Sequence, residues 1–447
     1  MSEERSEPGA ESSGAGVIAI AGLPTGDSMP TLSSDLVRKV METYVTRVLL
    51  IGIGLATTVI VARLLGPEGR GLYAVAAATG ALGVQFGNLG LHTANVYFVA
   101  RDPDTLGPLV GNSLVLSLGV GGLISLMLAV LSLRFPNLIS LHGAMLLLAL
   151  IWIPLGLAYL LMQNLILGVH DVRGYNLLEV ASKVLPLALI ACLIFSKRGG
   201  VVSFFAASEV ALVVGCIGAW GRLRGRFAGT PAVSFALFRG SISYAAKAYL
   251  AALFAFLVLR ADLFMVQHML GMEQAGYYSV AASMADYVSI LAVVIGTILF
   301  PRLSAMKEVD AKISLTRKAA WGTAGILFPL LAVAALVATP VVRLLFGAAF
   351  LPAARAFVFL MPGMLFLGVN CVAVQFLNSV GYPKSVVVIW GLCSVFNICV
   401  DLWAIPHHGI VGASIVSSVS YFLAFSLILE VIRRTSLRLR AGNSEFI

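Results

Sequence analysis

The chain has 447 residues, of which 59% are hydrophobic and only 11% are charged, and its formal net charge is +9. Soluble proteins carry about 25% charged residues, so this composition excludes a soluble globular protein. The basic excess does not indicate nucleic-acid binding, because Lys and Arg occupy alternate short loops between apolar runs instead of forming one patch.

The chain begins with a segment unlike the rest. Residues 1–35 are rich in Ser, Gly, Glu and Pro, which predicts a disordered cytoplasmic tail. Beyond it, apolar runs of about 17–25 residues recur to the end, and this length suffices to cross a hydrocarbon core. We predict an all-α polytopic membrane protein with about twelve transmembrane helices, at 43–62, 72–98, 108–131, 143–168, 177–195, 201–221, 243–268, 275–300, 319–345, 357–379, 385–404 and 410–432.

A thirteen-residue segment occurs twice, 205 positions apart. Leu65–Ala77 (LGPEGRGLYAVAA) matches Leu270–Ala282 (LGMEQAGYYSVAA) at eight positions, among them two glycines and a glutamate. Each copy is a polar turn between apolar stretches, so the repeat indicates two related halves. Six predicted spans separate the copies, which places both on the same side of the membrane. We therefore predict two six-helix lobes related by a pseudo-two-fold axis along the membrane normal.

The loop charges predict the orientation and the domains. Nineteen Lys and Arg outside the spans fall on the side of the N-terminus and seven, including Arg70, fall on the other. This asymmetry places both termini in the cytoplasm. The expected units are a tail at 1–35, an N-terminal lobe at 36–221, a basic linker at 222–241, a C-terminal lobe at 242–435 and a second tail at 436–447.

Several charged side chains fall within the predicted spans, where each costs roughly 2.5–3.5 kcal/mol to insert. Arg260, Asp262 and Asp286 lie in spans seven and eight, and the repeat places uncharged residues at their counterparts. Charges confined to one half are typical of a functional site. Arg47 and Lys247, nearer the inner face, either extend to the headgroups or belong to the same site. Lys183 faces a glutamate, Glu209, in the neighbouring span, which favours a buried ion pair or a place in the cavity.

Span two carries a polar stripe at spacings of three, four and three, which predicts one face of a helix. Such a face either links helices by hydrogen bonds or lines a wet cavity. Its residues are Gln85, Asn88, His92 and Asn95.

The sequence gives no indication of an enzyme. It contains no phosphate-binding Walker motif, no Gly-x-Ser-x-Gly and no His/Cys cluster at metal-ligand spacing, and its five cysteines lie in apolar runs. We predict no catalytic residue, cofactor, metal or nucleic-acid partner.

The first repeated turn, VARLLGPEGRGLY at Val61–Tyr73, resembles the opening signature of polysaccharide (O-antigen type) flippases of the multidrug/oligosaccharidyl-lipid/polysaccharide exporter superfamily. The second half resembles that family at its seventh and eighth helices, in Arg260–Asp262, Gly276–Tyr278 and Phe300–Ser304. The resemblance covers about residues 36–435. This chain differs from the lipid II flippases of the superfamily. Those proteins carry an Arg-Asp pair in the first helix, where this chain has Ala56-Thr57-Thr58.

The resemblance implies a flippase of the bacterial plasma membrane that moves undecaprenyl-diphosphate-linked oligosaccharide for cell-surface polysaccharide export. Basic side chains would hold the diphosphate, and amide side chains the sugars. The implied partners are membrane lipids, a coupling cation or proton, and a polysaccharide polymerase or export machinery. The alternatives left open are a cation-coupled multidrug antiporter of the same superfamily and a membrane glycosyltransferase or polymerase.

Overall fold

A computed structural model describes residues 34–135, 140–227, 229–381 and 383–441, with side-chain surroundings from Leu49 onward. The predicted N-terminal tail, except its last two residues, lies outside the described residues. The described segments are helical and contain no strand. Their helices are α1 (Ser34–Gly87), α2 (Leu91–Arg101), α3 (Leu106–Arg134), α4 (Gly143–Gly168), α5 (Val172–Phe195), α6 (Val201–Arg224), α7 (Phe235–Leu270), α8 (Met272–Ala305), α9 (Val309–Leu336), α10 (Ala338–Phe346), α11 (Leu351–Ser379) and α12 (Lys384–Arg440).

Two of these helices are too long to be single membrane spans. α1 has 54 residues and α12 has 57, which straight helices would extend to about 80 Å, against a hydrocarbon core of about 30 Å. Each breaks at a glycine with positive φ, Gly66 at 68° and Gly409 at 62°, a conformation that glycine adopts without steric cost. Asn397 bonds Ser420 across the second break at 3.3 Å, so α12 doubles back on itself.

Counting α1 and α12 as two spans each, the ten long apolar helices found among the described residues make twelve crossings. This confirms the predicted span number. The boundaries differ in places, since α7 starts at Phe235 instead of near 243, and the last helix continues to Arg440. The predicted span at 319–345 is two elements, the spanning helix α9 and the short α10.

Small residues let α1 pack closely on α4. A β-carbon at Gly80 would lie 2.5 Å from the ring of Trp152, and one at Gly83 would lie 2.5 Å from Ile153. Both distances are shorter than van der Waals contact, so a larger residue at either position would require Trp152 or Ile153 to move. Gly80 and Gly83 therefore allow two helices of the N-terminal lobe to approach closely.

The two repeated turns meet, and their contact is reciprocal. A β-carbon at Gly71 would lie 1.9 Å from the carbonyl oxygen of Met272, and one at Gly276 would lie 1.9 Å from the carbonyl oxygen of Pro67. In each copy of the repeat, a glycine thus packs directly against the backbone of the other copy. A two-fold relation between the lobes requires such a reciprocal contact. We call this the outer contact and its side of the protein the outer side, following the charge-based prediction.

A second link between the lobes lies beside the outer contact. The guanidinium of Arg63, at the outer end of the first span, donates to the carbonyl oxygens of Leu344 and Leu345, the former as a very short contact and the latter at 2.6 Å. These carbonyls belong to the last turn of α10, where the helix has no backbone donors of its own for them. The arginine therefore caps a helix of the opposite lobe.

The N-terminal and C-terminal lobes are also joined through the linker. Asn112 of α3 donates to the carbonyl oxygen of Ser234 at 2.9 Å and accepts from the amide of Ser234 at 3.0 Å. Asp171, at the start of α5, pairs with Arg222 at 3.0 Å and with Arg226 at 2.8 Å. The basic residues of this segment therefore stabilise the inner side of the N-terminal lobe.

Candidate substrate and ion site

An ion pair joins the two helices in which the sequence places charges at membrane depth. Arg260 of α7 donates to Asp286 of α8 at 2.8 Å, and the two side chains are 38% and 39% exposed. Asp286 is ten residues beyond Gly276 on α8, which corresponds to about 15 Å along the helix from the outer contact toward the inner side. The pair is therefore partly accessible at a level where α1 and α8 are still joined, since the hydroxyls of Thr58 and Tyr287 are 3.2 Å apart.

Asp262 is separate from this pair and is buried. Its carboxylate accepts hydrogen bonds from the hydroxyl of Tyr278, which is a very short contact, and from the hydroxyl of Ser417 at 3.0 Å. It also accepts from the amide of Leu263 at 2.8 Å. Three helices, α7, α8 and the second half of α12, thus converge on one carboxylate.

A second buried carboxylate lies within electrostatic range of Asp262. Asp401 of α12 is 0% exposed, and neither of its carboxylate oxygens has a hydrogen-bond partner among the described residues. Asn397, one helical turn earlier, is also fully buried and its side-chain oxygen is likewise unpartnered. The cluster therefore presents three acceptor oxygens with no donor.

Asp401 and Asn397 were not among the residues predicted from the sequence, although a signal was present. Asp401 is a carboxylate inside the predicted span 385–404, and Asn397 is four residues earlier, hence on the same helix face. Their partner Asp262 is 139 positions away in the sequence, so only the packing of α7 against α12 reveals the cluster.

The polar stripe of span two does not form one continuous helix face, and that prediction was wrong. α1 ends at Gly87 and α2 begins at Leu91, with Leu89 and Gly90 at positive φ between them. Asn88 sustains the break, because its side-chain oxygen accepts from the amide of Gly90 at 2.8 Å and lies 3.0 Å from Nδ1 of His92. An asparagine that bonds its own backbone competes with helix formation.

The remaining members of the stripe divide between structural and accessible positions. Asn95 is fully buried and donates to the hydroxyl of Ser113 on α3 at 3.0 Å. Gln85 is half-buried and its side-chain oxygen lies 3.5 Å from the amide nitrogen of Asn88. All four side chains thus participate in local bonds or bonds between helices.

The basic candidates are dispersed. Lys183 is exposed on α5, whereas both carboxylate oxygens of Glu209 on α6 are buried without a partner among the described residues, so the predicted Lys183–Glu209 ion pair does not form. The two side chains leave neighbouring helices in different directions, which sequence position alone could not show. Lys247 is exposed on α7. Arg47 lies on α1, but its side chain is outside the described residues.

The structure also contains an apolar cavity on the outer half. It has a volume of about 470 Å³ and lies between α1, α3 and α7, where Phe86, Met127 and Phe264 contribute to its wall. None of the charged residues described above lines it. Within the described part of the chain, no group of three or more His, Cys, Asp or Glu is placed to hold a metal ion.

Solved membrane transporters share this fold. A multidrug resistance MATE family transporter of the MOP superfamily in an inward-facing conformation matches with a TM-score of 0.69 at 17% identity, over 87% of this chain and 95% of that chain. The lipid II flippase MurJ in an inward closed conformation matches at 0.65 and 15%, over 89% and 87%. A MOP superfamily transporter from Pyrococcus furiosus matches at 0.62 and 17%, over 89% and 96%. At these identities the likeness shows the fold alone.

Sequence comparison gives the family. An uncharacterised membrane protein of Methanocaldococcus jannaschii is 31% identical over 152 residues, which are 33% of this chain and 30% of that protein, so the alignment spans less than a third of the relative's length. The profile of the family described as polysaccharide biosynthesis protein matches residues 60–355, well over half of the chain. Together with the two-lobe membrane fold, this match means that the chain belongs to the polysaccharide biosynthesis protein family.

Proposed function

We propose that this protein moves an oligosaccharide carried on a polyprenyl diphosphate from the inner to the outer leaflet of the bacterial plasma membrane. The observation that carries the proposal is the arrangement of the two lobes. They meet backbone to backbone at Gly71 and Gly276, while the Arg260–Asp286 pair remains accessible about 15 Å further in. Two lobes that meet at a close contact, with an exposed ion pair further in, are an arrangement that rocking of one lobe against the other would use for alternating access.

The chemistry of such a substrate explains why charges belong between the lobes. A polyprenyl tail can remain in the bilayer, but a diphosphate and sugars lose their water on entering hydrocarbon at a cost of several kcal/mol. A polar path between the lobes replaces those lost interactions. The family match to polysaccharide biosynthesis supports this substrate class over a drug.

Arg260 is the residue best suited to hold the diphosphate. Its planar guanidinium donates in a fork that fits phosphate oxygens, and Asp286 accepts one of its hydrogens and orients it. Because the pair is more than one-third exposed, an anion can approach without first breaking it. The exposed Lys183 and Lys247 add positive charge for the approach of the substrate, and Gln85 offers an amide for sugar hydroxyls.

The buried carboxylates Asp262 and Asp401 are proposed to bind the coupling ion. Two carboxylates in one dry cluster do not both remain ionised without compensation, because each charge is costly to bury and they repel each other. A proton or a small monovalent cation would supply that compensation, using the unpartnered oxygens of Asp401 and Asn397. Binding there would alter the packing of α7 against α12, which also positions Arg260.

Reconstituted transport tests the proposal. Purified protein in vesicles should make a fluorescent polyprenyl-diphosphate-linked saccharide accessible to a membrane-impermeant quencher. Arg260→Gln and Asp262→Asn should each reduce that rate at least about 10-fold with normal membrane insertion, since each removes one charge-assisted contact. Arg317→Gln, an exposed arginine on α9, is the matched control and should transport normally. Normal transport by both site variants would contradict the site assignment.

A cation-coupled multidrug antiporter is the second candidate, and the Asp262–Asp401 cluster is the observation that favours it. Buried carboxylates that release a proton or cation can drive export of a cationic drug as well as of a lipid-linked sugar. Efflux of cationic dyes by wild type and by Asp262→Asn separates the two functions. Dye efflux that depends on Asp262, with no movement of the lipid-linked saccharide, would establish the antiporter instead.

A further inference from the structure

Arg70 is a buried cation that has no anionic partner among the residues the structure describes. Its side chain is 7% exposed, and its only hydrogen bond runs from Nη2 to the hydroxyl of Ser283 at 3.4 Å. The Nε atom is buried and has no acceptor, and no carboxylate of the described residues lies within 4.0 Å of the guanidinium. The prediction that Arg70 lies in an outer loop was therefore wrong, because the helix continues through it and packs it against α8.

The burial of Arg70 carries a free-energy cost that its present contacts do not offset. A guanidinium carries five N–H donors, and burying a charge without a counter-charge costs several kcal/mol. One long contact to a neutral hydroxyl offsets little of that cost. The side chain therefore has unused donors that an anion would satisfy.

The groups around Arg70 are neutral and polar. The ring of Tyr73 lies 5.8 Å from the guanidinium carbon, and Ser283 supplies a hydroxyl. Tyr287, one turn beyond Ser283 on the same face of α8, is 3.2 Å from the hydroxyl of Thr58. Hydroxyl groups with no competing carboxylate suit phosphate oxygens, which accept hydrogen bonds and repel negative charge.

The position of Arg70 relates it to both the outer contact and the Arg260–Asp286 pair. Its neighbour Gly71 forms the outer contact, while its guanidinium reaches along α8 toward Ser283. Tyr287 directly follows Asp286 and lies one turn beyond Ser283, the hydrogen-bond partner of Arg70, so the two charged places lie along the same stretch of α8. Arg70 belongs to the N-terminal lobe and Arg260 to the C-terminal lobe. Separation of the lobes at the outer contact would move Arg70 away from α8.

We propose that Arg70 is a second binding site for the diphosphate of a polyprenyl diphosphate, occupied as the headgroup passes the outer contact. This rests on the proposed function, and it adds a residue outside the set first selected from the sequence. An anion that leaves Arg260 would find at Arg70 an unpaired guanidinium on the opposite lobe. The transfer needs no covalent step, only exchange of hydrogen bonds.

Binding of farnesyl diphosphate to the purified full chain in nanodiscs tests the proposal. In the Arg260→Gln background, where Arg70 is the remaining proposed diphosphate site, Arg70→Gln should weaken binding about 10- to 100-fold, since it removes a charge-assisted contact, and Arg70→Lys should lie between. Arg134→Gln, an exposed arginine at the outer end of α3, should bind as wild type does. Farnesol, which has no phosphate, should not distinguish Arg70→Gln from wild type. Inorganic pyrophosphate should bind at least about 10-fold more weakly than the lipid, since it lacks the apolar tail.

The outcomes separate this proposal from the proposed function. If Arg260→Gln weakens farnesyl diphosphate binding and the added Arg70→Gln substitution causes no further loss, the Arg70 site is refuted and the flippase proposal stands. If wild type does not bind the lipid at all, both proposals fall. Equal affinity for pyrophosphate and farnesyl diphosphate would refute a lipid headgroup as the ligand. Size-exclusion profiles and thermal unfolding of each variant must match wild type, and Arg70→Lys, which keeps the charge, serves if Arg70→Gln does not fold.

Discussion

The outer contact should be sensitive to a single methyl group. In Gly71→Ala the new β-carbon would lie 1.9 Å from the carbonyl oxygen of Met272, and ordinary contact begins at about 3.4 Å, so the two backbones must separate by about 1.5 Å. Neither backbone can rotate away as a flexible side chain would. Overpacking of this kind costs about 1–3 kcal/mol, which would shift the ratio of closed to open outer sides about 5- to 150-fold. Gly276→Ala should act in the same way because its contact is the reciprocal one.

Spin-label distances measure that shift. Labels on cysteines placed at Arg134 and Leu336 report the outer ends of α3 and α9, which belong to different lobes and are exposed. The exposed native Cys192 and Cys399 would first be replaced by serine. Gly71→Ala should increase the population at longer distances. Gly119→Ala is the control, since a β-carbon there meets nothing within 4 Å. Unchanged distances and transport in Gly71→Ala would refute the reasoning that this contact closes the outer side.

Three further substitutions test other contacts. Arg63→Met removes the cap on α10 and should shift the spin-label distances in the same direction as Gly71→Ala. The closed outer side should lose only about 1 kcal/mol, because the arginine is exposed. Unchanged distances would exclude a role of Arg63 in closure. Asn88→Ala should destabilise the protein by about 1–3 kcal/mol, seen as a lower Tm of the purified protein, because a buried amide loses its acceptor. Asp171→Asn should lower the free energy of unfolding by less than about 1 kcal/mol, because the arginines it pairs with are half-exposed. A larger loss would mean that these ion pairs stabilise the lobe more than ordinary surface ion pairs do.

The candidate site was predictable only in part. The sequence singled out Arg260, Asp262 and Asp286, because charges are rare at membrane depth and the repeat showed uncharged counterparts. It could not show which charge pairs with which. Asp262 accepts hydrogen bonds from Tyr278 and Ser417 because of how α7 is rotated and how α12 packs on it. Arg260 forms its ion pair with Asp286 instead.

The sequence by itself determined the membrane class, the twelve crossings and the two related halves. These depend on the length of apolar runs and on glycines at turns, which are properties of short segments. Tertiary structure alone decided the burial of Arg70 and the cluster of Asp262 with Asp401. Each of these depends on which side chains face one another across separate helices. A local pattern cannot specify that, because the partners are distant in the chain and meet only when the lobes pack.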